Sequence, residues 1–281
     1  ISDTVKEFLV NHGLYKSGGI FVVAFSGGAD SMCLLHVLSK VVKNKIIAIH
    51  LNHGWRGDES DNEEKKCYEF CKNLGIDFYS EKLPENVPHT ETDARNARYE
   101  FFDRCAQKFD TNIVFTAHNA NDNAETLIFR ICHGTGISGL RGISSKRGMF
   151  YRPLINIKRE TIEKYCVDNG LVPNNDSSND NIIYNRNLIR KEILPLMSKI
   201  NSNVLDAVNN LSIIAEEETE IVEQYLDLIL EKISKSGKIN TQKFLEYSPA
   251  IQKRLLYKII IPLLSENYDR ERLLTIWNFI K

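Results

Sequence analysis

The sequence predicts an α/β protein: a doubly wound, mostly parallel sheet over residues 1–203, followed by a smaller all-helical domain over 204–281. Three observations carry this. The apolar run from Ile20 to Phe25 is short and β-rich, and it passes through Ser26-Gly27-Gly28-Ala29-Asp30-Ser31 into a helical pattern of Met32, Leu34, Leu35, Val37 and Leu38. Further strand-like runs at 45–51, 77–81 and 112–117 alternate with amphipathic helical segments. From Val204 the strand signal ends, and 204–230 reads as one long amphipathic helix with an acidic run, Glu216-Glu217-Glu218.

In chain order, residues 3–16 form a first helix on the sheet edge, stopped at Asn11-His12-Gly13. The strand, glycine turn and helix that follow set backbone N–H groups and a helix N-terminus against an anion. Gly27 and Gly28 let the main chain approach phosphate oxygens, and Ser26 and Ser31 add hydroxyl donors. Asp30 would repel a phosphate, so it serves a bridging Mg²⁺ or the turn's own amides. The spacing is neither GxxxxGK[ST] nor GxGxxG, and a tight turn of this kind also has a purely structural reading.

Lys45 to Leu51 is the second buried strand, and His53 in the loop after it falls on the same sheet edge as Ser26. A loop histidine can equally cap its own backbone. A helix from Asp58 to Leu74 ends at Gly75, and Asp77–Glu81 is a third strand nearer the edge. After a loop over Pro84 to Thr92 comes a helix with Ala94, Ala97, Phe101, Phe102 and Cys105 as its buried stripe. Arg95 and Arg98 sit near its positive end, where cations are disfavoured, which points to an anionic partner or else to a solvated pair.

The fourth strand, Asn112–Ala117, ends in His118 and a polar cluster. Asp122 and Glu125 are three apart and share a face of the first helical turn. They either cap the helix or hold Mg²⁺ or a substrate ammonium. His118 could touch a nucleotide. The glycine-rich stretch 133–142 could fold over a ligand, and Arg141, Lys146, Arg147 and Arg152 make a basic surface with Tyr151–Leu154 as an extended corner. A helix over 158–169, a polar turn over 173–180 and a second helix from Tyr184 follow. In the latter, Arg186 and Arg190 share a face suited to clamping phosphate, and Pro195 breaks the segment.

Lys and Arg total 36 against 37 Asp and Glu, a net charge of -1, so any nucleic-acid contact must come from local patches. There is no apolar run long enough for a membrane span and no secretion signal, and the six cysteines form no CxxC pair. Reduced, structural cysteines and a cytoplasmic location are expected. Ile1 at the start and TIWNFIK at the end read as a sequence trimmed at both ends.

SGGADS matches the PP-loop of the N-type ATP pyrophosphatases, which cleave ATP between the α and β phosphates and leave an adenylated substrate. With HLNHGWRG, ETDARNARYEFF, TAHNANDNAET, HGTGISGLRGI, YRPL, DSSND and YNRNLIRKEILP in that order, residues 20–197 resemble the tRNA(Ile)-lysidine synthase family. His133 departs from it, standing where the family usually has Arg, which weakens one phosphate-directed charge. Over 204–281 the resemblance is general only; the family has a helical domain there, often with a further C-terminal domain.

The resemblance implies an adenine nucleotide alpha hydrolase-like fold, ATP and Mg²⁺ as cofactors, and isoleucine tRNA with a CAU anticodon and L-lysine as partners. No membrane partner is expected, and a homodimer is one option. It implies catalytic roles for Asp30, Arg98, Asp122, Glu125 and Arg190. Ser26, Gly27, Gly28, Ala29, Asp30, Ser31, His53, His118 and Arg186 would bind the nucleotide, with Asp30 and Asp122 on Mg²⁺. The nearest alternative is a PP-loop tRNA thiolase, which usually carries the CxxC cysteines that this chain lacks.

Overall fold

Alternation along the first strand decides where two cores form. In β1 (Ile20–Ala24) Phe21 and Val23 point to one face of the sheet and Val22 to the other, and all three are fully buried. A strand buried on both sides needs helices on both sides. The computed structural model, which describes residues 1–55, 57–83, 90–174, 185–235, 237–260 and 275–278, has them. Arg56, most of the loop expected at Pro84–Thr92, the DSSND turn, Tyr184 and the break at Pro262 lie outside the described residues.

The other strands of the main sheet are β2 (Lys45–Asn52), β3 (Asp77–Lys82), β4 (Val114–Phe115), β5 (Lys146–Arg147) and β6 (Phe150–Tyr151). Their spatial order is β3-β2-β1-β4-β6-β5, parallel throughout except for β5 against β6. On one face Phe21, Val23, Phe25 and Phe115 pack against α1 (Ser2–Asn11), α2 (Ala29–Val41), α3 (Asp58–Asn73) and α7 (Arg159–Asp168), through Leu9, Leu34, Cys71 and Ile162. On the other, Val22, Ile47, Ile49 and Val114 meet Phe101, Phe102 and Cys105 of α4 (Glu91–Lys108). Burying a side chain such as Phe or Ile contributes about 1.5–3 kcal/mol, so the two layers fix the sheet and with it the strand ends.

Between β4 and α7 lie α5 (Ala120–Cys132), the one-turn α6 (Ile137–Leu140) and the β5–β6 hairpin. The sequence reading has a glycine loop here and no strands, because two-residue strands carry no periodicity. It also puts Arg152 on a basic surface. Instead Arg152 is only 4% exposed, since it follows Tyr151 into the sheet and its Nη1 donates to Ser144 O at 2.8 Å. The first helix joins the core of one face through Val5 and Leu9 rather than an edge.

Pro195 does not break its segment. α8 (Asn185–Leu188) continues through a π-helical turn, Ile189–Ile193, into α9 (Leu194–Ile200), with the proline in the first turn of α9. The wider turn relieves the hydrogen bond that proline cannot make.

The long helix α10 (Val204–Ile233) follows. Two compact units result, Ile1–Ser212 and Ile213–Lys281. The division falls inside α10, beyond residue 203, because its first turns bond to the first unit: Lys158 Nζ pairs with Asp206 at 2.7 Å, and Asn209 Nδ2 donates to Ala120 O at 3.1 Å. In the second unit Leu226, Ile229 and Ile233 pack with Phe244 of α11 (Thr241–Leu245) and Leu255 of α12 (Pro249–Ile260). A small hairpin of β7 (Ser234–Lys235) and β8 (Lys238–Ile239) stands at the turn expected over 236–240. Among the described residues no helix is long and apolar enough to cross a membrane.

Candidate functional site

The strand order reverses between β1 and β4. The chain steps outward from β1 to β2 and β3, then returns to the other side of β1. At such a switch point the loops leaving two neighbouring strands open a crevice at the strand C-termini. The two stretches that leave there are Ser26–Ser31 after β1 and His118–Glu125 after β4.

The first is a wound turn. Gly27 has φ +82, and a Cβ built on it would lie 2.5 Å from Asn174 Nδ2 and 2.6 Å from Cys67 Sγ. Only glycine fits that backbone and that space. The Asn174 N–H donates to Gly27 O at 2.9 Å, and Ser31 Oγ donates to Gly28 O at 3.0 Å while lying 3.1 Å from Ser26 Oγ. Below the turn the His50 ring sits 2.8 Å from Phe25 O, pinning the strand end. Gly28 caps α2 without a side chain, so its first-turn amides keep their capacity for an anion.

The second stretch is ordered by Asn119, which is fully buried. Its Oδ1 accepts the N–H groups of Asn121 and Asp122 at 2.9 and 3.0 Å, and Asp122 Oδ2 accepts the Asn119 N–H at 3.0 Å. This is a reciprocal helix cap. Asn119 Nδ2 then donates to Asp30 Oδ1 at 2.8 Å and joins the two turns.

A chain of alternating charge runs from there. Arg159 Nη2 lies 3.8 Å from Asp30 Oδ2 and 3.4 Å from Asp122 Oδ1. Arg190 Nη2 lies 3.5 Å from the same Asp122 oxygen. Arg190 also grips Glu125 with both arms, Nε to Oε1 at 2.6 Å and Nη2 to Oε2 at 3.0 Å. The Glu125 side chain is 2% exposed. Capping and charge pairing are therefore both served by Asp122, one oxygen each.

Burial raises the Asp30 pKa above the ordinary carboxylate value, with Arg159 opposing and Asp122 adding to the shift. Burial works against the Arg190 charge, but the Glu125 hydrogen bonds together with the charges of Glu125, Asp122 and Asp30 outweigh it and the pKa rises. His118, whose Nδ1 is 3.0 Å from Thr116 Oγ1, is pushed down to about 4 by burial and by Arg152, Arg95 and Arg186, with Asp122 opposing. It is a neutral hydrogen-bonding ring near pH 7.

Asp30, Asp122, Glu125 and Arg190 thus meet in one cleft. Arg186 joins them along α5, its Nη2 donating to Thr126 Oγ1 at 3.0 Å. His53 stays one strand over, tilted against Trp55 with ring centroids 5.3 Å apart. Arg98 is exposed on α4. Its neighbour Arg95, 5.2 Å above the Tyr99 ring, is the one whose charge acts on His118, Arg130 and Arg152.

Sequence reasoning misses Arg159, although a cation in the first turn of α7 is the same signal that singles out Arg95 and Arg98. It also misses Asn119, a plain N-cap residue. Asp30 and Asp122 share one cationic neighbour, Arg159, and offer the carboxylate oxygens that a divalent ion with further ligands from phosphate would need. Among the described residues no group of three or more His, Cys, Asp or Glu could hold a metal alone.

The PP-loop domain family matches residues 1–197. The tRNA(Ile)-lysidine synthase of Clostridium acetobutylicum is 35% identical over 97% of this chain and 62% of its own length. That of Chlorobaculum tepidum is 32% identical over 82% of this chain and 74% of its own length. The chain spans about three fifths of the length of several such relatives, 62% and 61% for two Clostridium proteins. The solved U34-tRNA thiolase NcsA of Methanococcus maripaludis superposes with a TM-score of 0.62 at 18% identity, over 76% of this chain and 77% of that one, a likeness of fold alone.

Two outcomes test the electrostatics. Arg190→Met leaves a buried carboxylate unpaired and lowers stability by about 3–5 kcal/mol in urea unfolding, while adding Glu125→Leu recovers much of the loss. Because the folded pKa of His118, about 4, lies below its ordinary 6.5, the unfolded chain protonates first as pH falls. This stabilising contribution is whole above about 6.5 and is lost on the way down to about 4, up to about 3 kcal/mol. The raised Asp30 pKa acts in the opposite sense, so the comparison is with His118→Asn, which shows a smaller loss of unfolding free energy between pH 7 and 4.

Proposed function

The chain belongs to the tRNA(Ile)-lysidine synthase family of PP-loop proteins, and from that premise we propose that it uses ATP to ligate lysine to C2 of the wobble cytidine in an isoleucine tRNA with a CAU anticodon. The observation that carries the reading is the meeting of Asp30 and Asp122 on Arg159, beside a glycine turn with uncapped helix amides.

The chemistry needs two steps. The C2 carbonyl oxygen of cytidine is a poor leaving group. Transfer of AMP to that oxygen, with pyrophosphate released, makes it a good one. The turn amides of residues 27–31, Arg190 and Arg186 stabilise charge on the phosphates. Mg²⁺ held by Asp30 and Asp122 would neutralise charge between phosphate oxygens. His118, neutral near pH 7, offers a hydrogen bond to the nucleotide without adding charge.

In the second step a lysine amine attacks C2, the bond from C2 to the AMP-bearing oxygen breaks, and AMP leaves. The amine must first lose a proton. Asp122 Oδ1 receives the ammonium and takes the proton that the amine sheds as it attacks, because its arginine contacts at 3.4 and 3.5 Å are long and exchangeable. Glu125, held by both arms of Arg190, acts by fixing that arginine. Arg98 joins Arg95 in facing tRNA phosphate on α4. Arg130, Arg141, Arg147 and Arg186 extend this positive region; burial first, and then the charges of Arg141, Arg186, Arg147 and Arg95, lower the pKa of Arg130.

The assay is incubation with ATP, labelled lysine and an isoleucine tRNA transcript. Lysine-dependent AMP release with label in the tRNA is expected; sulfur incorporation, or tight tRNA binding without turnover, would overturn the reading. Asp30→Ala and Asp122→Ala each reduce turnover by about 10²-fold or more with an unchanged far-UV spectrum. The tRNA affinity falls steeply with salt despite a net charge of -1, and a flat response contradicts phosphate contact.

A further inference from the structure

Asn123 follows the capping aspartate and is 5% exposed. Its side chain bonds to two other parts of the first unit. Nδ2 donates to Asn209 Oδ1 at 2.9 Å and to Ser212 Oγ at 3.0 Å, both in the first turns of α10. Oδ1 accepts the Ile143 N–H at 2.7 Å. That oxygen would lie 2.1 Å from a Cβ on Gly142, whose φ is +66, so the end of the glycine loop is pressed onto the helix that carries Asp122 and Glu125. Two turns further along α5, Arg130 Nη1 donates to Gly139 O at 2.7 Å and Gly142 O at 3.0 Å.

The direction of the Asn123 amide is forced. Asn209 Nδ2 donates to the carbonyls of Ala120 at 3.1 Å and Leu205 at 2.9 Å, which can only accept. Its Oδ1 is left for Asn123. Ser212 Oγ gives its proton to Asn209 O at 2.8 Å and meets Asn123 as an acceptor. Both groups demand Nδ2, which leaves Oδ1 for Ile143. A reversed amide would set donor against donor at Ile143 and acceptor against acceptor at α10.

We propose that Asn123 is a positioning residue for the lysine-transfer half of the reaction. The first turns of α10 set its amide, and the amide holds the Gly142–Ile143 end of the glycine loop against the acid-bearing helix. This rests on the function proposed above. The turn after β1 is held by other bonds, from Asn119, Asn174 and His50, and Asp122 is fixed by its reciprocal cap with Asn119, so the groups assigned to adenylation keep their places when Asn123 is changed.

The test uses the full chain and measures the two halves separately: AMP transfer to tRNA without lysine, then lysine transfer. Asn123→Ala slows lysine transfer by about 10-fold or more and leaves adenylation within about 2-fold. Asn209→Ala, which touches no part of the glycine loop, slows the same half by a smaller factor and adds nothing in the double variant. Hydrogen exchange gives a readout apart from turnover: the Ile143 amide exchanges about 10-fold faster in both single variants. Equal slowing of both halves, additive losses, or an Ile143 amide with unchanged protection in Asn123→Ala would overturn the proposal. A wild-type chain that forms no adenylated tRNA removes the functional reading and the assigned half-reaction with it, whereas the Ile143 exchange rate judges the positioning directly.

Discussion

One buried amide holds the two halves of the site together. Asn119 uses its oxygen to cap α5 and its nitrogen to hold Asp30, so the turn after β1 and the turn after β4 move as one piece. Its orientation is fixed by chemistry rather than by packing alone, because two backbone N–H groups require the oxygen on one side and a carboxylate requires the nitrogen on the other. Beyond it the charges alternate, Asp30, Arg159, Asp122, Arg190, Glu125. Each carboxylate is compensated, as burial demands. The contacts grade from long at Asp30 to short at Glu125. The loose end lies beside the glycine turn, so an incoming anion with its cation can exchange partners there while Glu125 and Arg190 keep the frame.

The sheet makes that arrangement available. Two cores clamp β1 from both faces, and reversal of strand order at β1 and β4 sets their loops side by side. The site needs the strand ends at fixed height. His50 against Phe25 O, and the Thr116 N–H donating to Tyr151 O at 2.9 Å, set that height on either side of the crevice. The short strands β5 and β6 extend the sheet past β4; β6, parallel to β4, brings Arg152 to the edge where the crevice opens, whereas Arg147 on the antiparallel β5 pairs with Phe150 at the far end.

Much of this is legible in the amino acids. β1, β2, β3 and the helices between them announce themselves by period and by glycine stops. Asp30, Asp122, Glu125 and Arg190 stand out because polar groups crowd the ends of apolar runs. What escapes depends on tertiary placement. Arg152 looks like surface charge because nothing local shows that Tyr151 pairs with β4. Pro195 looks like a break because a π-turn leaves no signature in residue type. Asn119, Asn123 and Asn209 look like ordinary polar residues; their importance lies in which carbonyls and amides surround them. Arg98 is singled out over Arg95 although spacing treats them alike and both are exposed; only the fold sets Arg95 over the Tyr99 ring, where its charge acts on His118.

The central claim is that nucleotide phosphates sit in the turn of residues 26–31 with Asp30 and Asp122 on their cation. A crystal structure of the chain with Mg²⁺ and a non-hydrolysable ATP analogue tests it most directly. The account predicts phosphate oxygens at hydrogen-bond distance from the amides of residues 27–31, with the cation ligated by Asp30 and Asp122. Phosphates bound elsewhere, with the Asp30–Arg159–Asp122 contacts unchanged, would contradict it.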